Sequence, residues 1–365
     1  MSGCQQEDEK PPENKPGLPE NVAAYLSTWS NWKAESIKGE YLSDLIIAFA
    51  GINQTDGYSL EMSGAAAVMA KAAAIKAKYP HLKISVSVGG YGAEGFSDMA
   101  HDPSLRAAFV GDVCAWLTKY NLDGVDIDWE YPVGPPWGQS IKSRPQDKQN
   151  YISLLRDIRN ALDALGGETG RRYGLSTAVP AGSWFTTAND VKTAAEITDG
   201  LKLMTYDYAG DWSGTTGHNA NLFMSSRGSS WSSDEAVKAY LNAQVPSNKI
   251  MLGVAFYGQA WSGVTEGSYP GAPGFARPGK FWKSPDWTAI QAYLKPDSGY
   301  TRYWDGAAKA PFLYNGDRWI SYTDHEQIKA ITGYAKEKKL GGVFVWEYSH
   351  DMKAELLQTL AESFK

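Results

Sequence analysis

The sequence has little cysteine, no surplus of positive charge and no long apolar run. Cys4 and Cys114 are its two cysteines among 365 residues. Cys4 sits in a polar tail. Cys114 lies in a helical pattern beside Val113, Trp116 and Leu117, where a buried free thiol is expected. A disulfide between them is not expected, so cysteine usage leaves the redox compartment open. The net charge of −6 argues against a nucleic-acid or anionic-membrane partner, which would favour a basic face. No apolar stretch approaches the roughly 20 residues needed to span a bilayer. With 43% hydrophobic and 21% charged residues, the chain has the composition of a soluble globular protein.

The N-terminus reads Met1-Ser2-Gly3-Cys4, followed by QQEDEKPPENKPG. A small-residue pair before a cysteine and a polar linker resembles the end of a bacterial lipoprotein signal. Met1 then stands where an apolar segment would be, and Cys4 is the lipid-bearing residue. Residues 1–19 are accordingly expected to be a disordered tail. Membrane attachment is expected only through a lipidated Cys4, in an extracellular or cell-surface setting. The plainer alternative is a tail with a chance cysteine.

Aromatic residues are abundant, with 14 Trp and 21 Tyr. Rings of this kind fill cores, and they also line carbohydrate clefts, where sugars present apolar C–H faces. Composition leaves both readings open.

From Glu20 onward, eight apolar runs alternate with helical patterns. The runs cover residues 22–29, 45–50, 83–90, 124–131, 173–180, 200–206, 250–258 and 342–348. Most are nearly continuous in Val, Ile, Leu and Phe, as parallel strands buried on both faces require. Asp102-Pro103 predicts an N-cap followed by a first-turn proline. Tyr151, Leu154, Leu155, Ile158 and Leu162 share one helical face, with Gly166-Gly167 expected to end it. Ser232–Glu235 and Thr323–Glu326 have capping-box spacing, and the helix from Ala65 is expected to stop at Tyr79-Pro80. Eight strand–helix units in series predict an α/β fold, the (β/α)8 TIM barrel, over 20–365. A doubly wound open sheet is the runner-up, but no Gly-rich loop follows the first strand. Residues 262–322, after the seventh strand, are rich in Gly, Pro, Trp and Tyr. They predict a small α+β insertion, because structureless loops of that length are uncommon.

The strongest local pattern spans residues 123–131. Side chains alternate along a strand, so Asp126, Asp128 and Glu130 point one way. Val125, Ile127 and Trp129 point the other, toward the helices. Three carboxylates inside a barrel are costly, because like charges repel and desolvation opposes ionisation. At the C-terminal end of a barrel strand such a cluster reads as catalytic. A solvated surface strand conflicts with the apolar alternate residues. A divalent-cation site would also use clustered acids and is the weaker alternative, since no histidine or further acid cluster stands nearby in sequence.

These residues carry a resemblance to glycoside hydrolase family 18, the chitinase family, over about residues 20–363. The motif D-x-x-D-x-D-x-E is complete at Asp123, Asp126, Asp128 and Glu130. Ser87-Val88-Gly89-Gly90 resembles the third-strand S-x-G-G, and Met204, Tyr206 and Asp207 the sixth-strand M-x-Y-D. Trp346 resembles the eighth-strand tryptophan. One departure is Gln259, where many relatives carry arginine after F-Y-G; it lacks the charge and fork of that residue.

The resemblance implies a retaining hydrolase of β-1,4-linked N-acetylglucosamine chains, with chitin or chito-oligosaccharides as substrate. In this family the substrate supplies its own nucleophile, and the resemblance implies no metal and no cofactor. By the same resemblance Glu130 is the acid, later the base. Asp128 holds the acetamido N–H and supports an oxazolinium ion. Asp126 shares a proton with Asp128, and Tyr25 and Ser87 bond to Asp126. Tyr206 donates to the acetamido carbonyl. Trp346 forms the floor of the pocket, lined by Phe49, Gly90, Met204 and Asp207. Trp32, Trp137, Trp184, Trp212 and Trp261 follow strand C-termini, and some are expected to line flanking subsites. His218 is read as a loop brace. A monomer is the expected state. An endo-β-N-acetylglucosaminidase acting on N-glycans and a non-catalytic chitin-binding lectin are the alternatives; the second sits poorly with the presence of Glu130.

Overall fold

A computed structural model of the protein describes residues 21–226, 231–267, 269 and 271–364. The tail with Cys4 lies outside the described residues. In chain order the first strands are β1 (Val22–Ser27), β2 (Asp44–Asn53), β3 (Ser59–Glu61), β4 (Lys83–Gly89), β5 (Gly124–Asp128), β6 (Gly174–Pro180), β7 (Gly200–Met204) and β8 (Ile250–Ala255). Then come β9 (Gln259–Ser262), β10 (Lys280–Lys283), β11 (Thr301–Asp305), β12 (Ala310–Tyr314), β13 (Trp319–Ser321) and β14 (Gly342–Trp346). The helices are α1 (Ala65–Lys78), α2 (Phe96–His101), α3 (Pro103–Tyr120), α4 (Asp147–Thr169), α5 (Ser183–Ala188), α6 (Val191–Ile197), α7 (Ser233–Asn242), α8 (Trp287–Tyr293), α9 (His325–Glu337) and α10 (Glu355–Phe364).

Strands β1, β2, β4–β8 and β14 are mutually parallel, and the pairing of β1 with both β2 and β14 closes them into a barrel. This is the (β/α)8 barrel that the eight apolar runs predict. Alternation explains its two cores. Val125, Ile127 and Trp129 pack outward with the helices, and Trp129 stacks on Phe96 of α2 at 5.2 Å. Tyr25, Ile46, Ala48 and Phe344 fill the barrel interior, with Met204, Tyr206 and Trp346 packed against them.

Between β8 and β14 lies an antiparallel sheet in the order β10-β9-β13-β12-β11. Its first strand starts at Gln259, upstream of the Ser262 expected from composition. Trp261 and Trp319 are fully buried there, and Trp319 stacks on Phe312 at 5.1 Å. Trp261 is therefore core rather than cleft lining. Trp32 is also buried, with its indole N–H donating to the Ser27 carbonyl.

Three local expectations need correction. Helix α4 continues through Gly166 and Gly167 and ends at Gly170, whose φ of +69° suits a left-handed cap. An interior glycine costs only about 1 kcal/mol against alanine, too little to stop a helix whose apolar face is buried. Helix α9 is capped by Asp324, which accepts from the Glu326 and Gln327 N–H groups, and not by Thr323. Cys114 is only half-buried; burial pushes its thiol pKa up. By contrast Asp102 caps α3, with Pro103 in its first turn, and Ser232 caps α7 by accepting from the Glu235 N–H at 3.2 Å, as their spacing predicts.

Candidate active site

The C-terminal ends of β5, β7 and β14 bring the acids and rings of the sequence motifs to one mouth of the barrel. Asp126 lies deepest and is fully buried. Its Oδ2 accepts from the Tyr25 hydroxyl and the Ser87 hydroxyl, each at 2.8 Å. Its Oδ1 accepts from the Ser176 hydroxyl at 2.6 Å and from the Lys202 ammonium at 2.9 Å. Burial alone would push this carboxyl up. The Lys202 charge and the bonds from Ser176, Lys202 and Tyr25 outweigh it and hold the pKa below the ordinary value. Four donors occupy both oxygens, which leaves this aspartate nothing to offer a divalent cation.

Asp128 sits one step higher. Its Oδ1 is buried and takes no hydrogen bond from the protein. Burial, then the charges of Glu130 and Asp126, push its pKa well above the ordinary range, with Lys202 opposing. Glu130 is partly buried at the top. Burial raises it to about 7, with Asp207 adding and a bond from Tyr131 opposing. A carboxyl of that kind carries a proton into the neutral range, which is what a general acid needs.

The Tyr206 phenol is also pushed up, by burial and then by Asp128, Asp207 and Glu130 around it. It stays a donor. Asp207, exposed in the cleft, is held by the Tyr257 hydroxyl at 2.7 Å and the Gln259 amide at 3.0 Å. Gln259 is 5% exposed, and its carbonyl accepts from Ser284 at 2.8 Å. Both ends of this amide are spent on the wall, so it braces Asp207 instead of reaching outward as an arginine would.

Trp346 is partly buried and stacks on Phe49 at 5.6 Å and 25°, with Tyr25 edge-on at 5.6 Å. Met204 packs against the same interior cluster. Gly90 has φ +100°, and a Cβ there would stand 2.8 Å from the Phe49 ring. At Gly89, with φ +121°, a Cβ would fall 2.0 Å from the Asp128 carbonyl oxygen. The paired glycines let β4 pass this close to the acid strand. The peptide bonds Ala48–Phe49, Glu130–Tyr131 and Trp346–Glu347 are cis.

All eleven site candidates thus lie on the barrel interior or its mouth. The remaining motif acid does not. Asp123 precedes β5 at its other end, paired with Lys76 at 2.6 Å and Arg171 at 2.8 Å, where it also accepts from the Ile84 N–H. His218 is buried, 3.3 Å from Asp305 and 4.9 Å from the Phe275 ring, so it ties its loop to the inserted sheet. Reading the sequence missed Ser176, Lys202 and Trp29. The first two carry a signal, because Ser176 and Lys202 keep the interior-facing register of Ala178 and Met204. Trp29 follows β1 and stands by Phe49 and Trp346, at 6.1 and 6.4 Å.

Residues 21–351 match the family model for Glycosyl hydrolases family 18, and the chain belongs to that family. It is 38% identical over 302 residues to chitinase A1 of Niallia circulans, covering 78% of this chain and 43% of that protein. The chain therefore spans less than half the length of that relative. It is 29% identical over 348 residues to chitotriosidase-1 of Mus musculus, 90% of this chain and 73% of the relative. Among solved structures, a family 18 N-acetylglucosaminidase from Paenibacillus barengoltzii superposes with a TM-score of 0.84 at 34% identity. That match covers 94% of this chain and 99% of the other.

Proposed function

We propose that the protein hydrolyses β-1,4-linked N-acetylglucosamine chains, with retention, through attack by the substrate's own acetamido group. The carrying observation is the graded ladder on β5: an ionised Asp126, an Asp128 oxygen buried with no protein donor, and a Glu130 titrating at about 7. An acetamido N–H donated to Asp128 favours its ionised form and leaves a proton on Glu130 for the glycosidic oxygen. The acetamido carbonyl then attacks the anomeric carbon over Trp346. The C–O bond to the leaving sugar breaks as Glu130 gives up its proton. Tyr206 donates to the carbonyl oxygen, and the Asp128 carboxylate faces the positive oxazolinium. Water, deprotonated by Glu130, reopens the ring.

The Paenibacillus barengoltzii relative is named an N-acetylglucosaminidase, which supports N-acetylglucosamine units as the sugars this cleft takes. An extracellular setting, attachment through Cys4, the inserted segment from Gln259 to Tyr322 as a separate subdomain and a monomeric state belong to the same proposal.

Product analysis by mass spectrometry tests it. Protein and its Glu130→Gln variant are incubated with N-acetylglucosamine hexamer and, separately, with a high-mannose glycoprotein. Cleavage of the hexamer that falls by about 10²–10⁴-fold in the variant is expected. Release of glycans with the hexamer intact would move the substrate to N-glycans. Inertness toward both would leave a sugar-binding protein.

A further inference from the structure

The β7 run GLKLM places a lysine where a barrel interior should be apolar. Leu201 and Leu203 face the helices, while Lys202 points inward and is 4% exposed. A buried ammonium is costly unless paired and hydrogen-bonded. Lys202 meets both conditions at one place, the floor of the carboxylate ladder. Its Nζ lies 2.9 Å from Asp126 Oδ1, bonds to the Ser176 hydroxyl and stands 5.9 Å from the Tyr25 ring centre.

We infer that Lys202 is a positioning residue that keeps Asp126 a fixed anion and so confines the mobile protons of the ladder to Asp128 and Glu130. This rests on the glycosidase reading above and places on Asp128 the proton that the family resemblance shares between Asp126 and Asp128. The argument is one of donors. An ammonium has three N–H groups and no lone pair, so the oxygen facing it cannot carry a proton toward it. Oδ1 also receives the Ser176 hydroxyl, and Oδ2 receives Tyr25 and Ser87. Asp128, in contrast, has an oxygen with no protein donor.

The groups facing this pair come from every side of the barrel. Tyr25 stands on β1, Ser87 on β4, Asp128 and then Glu130 above Asp126, and Ser176 on β6. Tyr206 follows β7, and Tyr151 of α4 stands on the helix side of the strands with its hydroxyl bonded to Thr177. β8 and β14 contribute the apolar Met251 and Phe344. Lys202 is the one cation in this set. Without it, Asp126 is an uncompensated anion under two acids, and each of them binds protons more tightly.

The test is the pH dependence of kcat and KM on N-acetylglucosamine hexamer for the full chain and its Lys202→Met variant. Methionine keeps the unbranched shape and removes the charge. The acid limb, where Asp128 takes up a proton, is expected to move up by about one pH unit or more, with KM changed less than about threefold because Lys202 lies below the sugar site. Asp126→Asn combined with Lys202→Met removes both charges, and its acid limb should return to the wild-type position whatever its rate. A rate loss in Lys202→Met with both limbs unmoved would overturn the proposal, as would a limb that stays displaced in the double variant. Should the single variant not fold, the double variant alone decides, by matching or missing the wild-type limb. Should wild type leave the hexamer intact, the function reading fails instead, and thermal midpoints take over. The Lys202→Met midpoint should then fall progressively below that of wild type as pH rises above the ordinary carboxyl range of about 4, since stability from raised carboxyl pKa values is lost as pH rises; parallel curves would sink the inference.

Discussion

Glu130, Asp128 and Asp126 share a strand face and a chemistry, yet their neighbours set them to different protonation states. Asp126 has four donors, one of them a cation, and it stays ionised. Glu130 has burial and the nearby Asp207 charge, and its pKa reaches about 7. The sign of the pH effect follows. Glu130 acts as an acid only while protonated, so kcat/KM, which reports the free protein, should fall as pH rises through about 7. Initial rates on hexamer from acid to mildly alkaline pH check this; a flat alkaline side would remove Glu130 from the acid role. Alternation along residues 123–131 was enough to put the three acids on one face and to aim Trp129 outward. It did not reveal that the first motif aspartate, Asp123, braces the other end of the strand with Lys76 and Arg171. Nor did it expose Lys202, because in a run of apolar residues a lone lysine reads as a surface position until its register is compared with Met204.

At the scale of elements, the eight strands were legible because strands buried on both faces leave continuous apolar runs. Helix starts were also marked where a single side chain does the capping, as at Asp102 and Ser232. The signals failed where two candidates stood side by side. Thr323 has the spacing of a capping box, but Asp324 takes both the Glu326 and Gln327 N–H groups and also the Arg302 guanidinium. The Thr323 hydroxyl is buried with no hydrogen bond. The two are separable by urea unfolding. Asp324→Ala should cost about 1–2 kcal/mol through the lost cap, with the partly exposed ion pair adding little. Thr323→Ala should be neutral or slightly stabilising, because it removes an unsatisfied buried hydroxyl. Equal losses at both positions would return the cap to the capping-box reading.

The whole molecule couples a rigid barrel to a mouth lined by exposed rings. Trp29 (66%), Tyr91 (85%), Trp137 (76%) and Trp212 (63%) remain exposed, and they follow β1, β4, β5 and β7. All four occupy the strand ends that carry the acids, where a barrel keeps its site. Which tryptophans would be core was not legible, since Trp32, Trp137 and Trp261 all follow strand ends and only packing distinguishes them. Two of the exposed rings have different company. Trp29 adjoins Phe49 and Trp346, the floor of the proposed reacting sugar. Trp137 stands against Trp184, which in turn meets Tyr131, the residue after Glu130. A chain running from one to the other passes over the ladder with a ring near each end. Taking a sugar face to be worth what a second ring is, about 1 kcal/mol, each stack contributes roughly fivefold in affinity. Trp29→Ala and Trp137→Ala should therefore each raise KM for the hexamer by about that factor and leave kcat nearly unchanged. For the shortest cleaved oligomer, which cannot span both rings, at least one of the two substitutions should have no effect. Identical KM changes for short and long substrates in both variants would place these rings outside the path of the sugar chain.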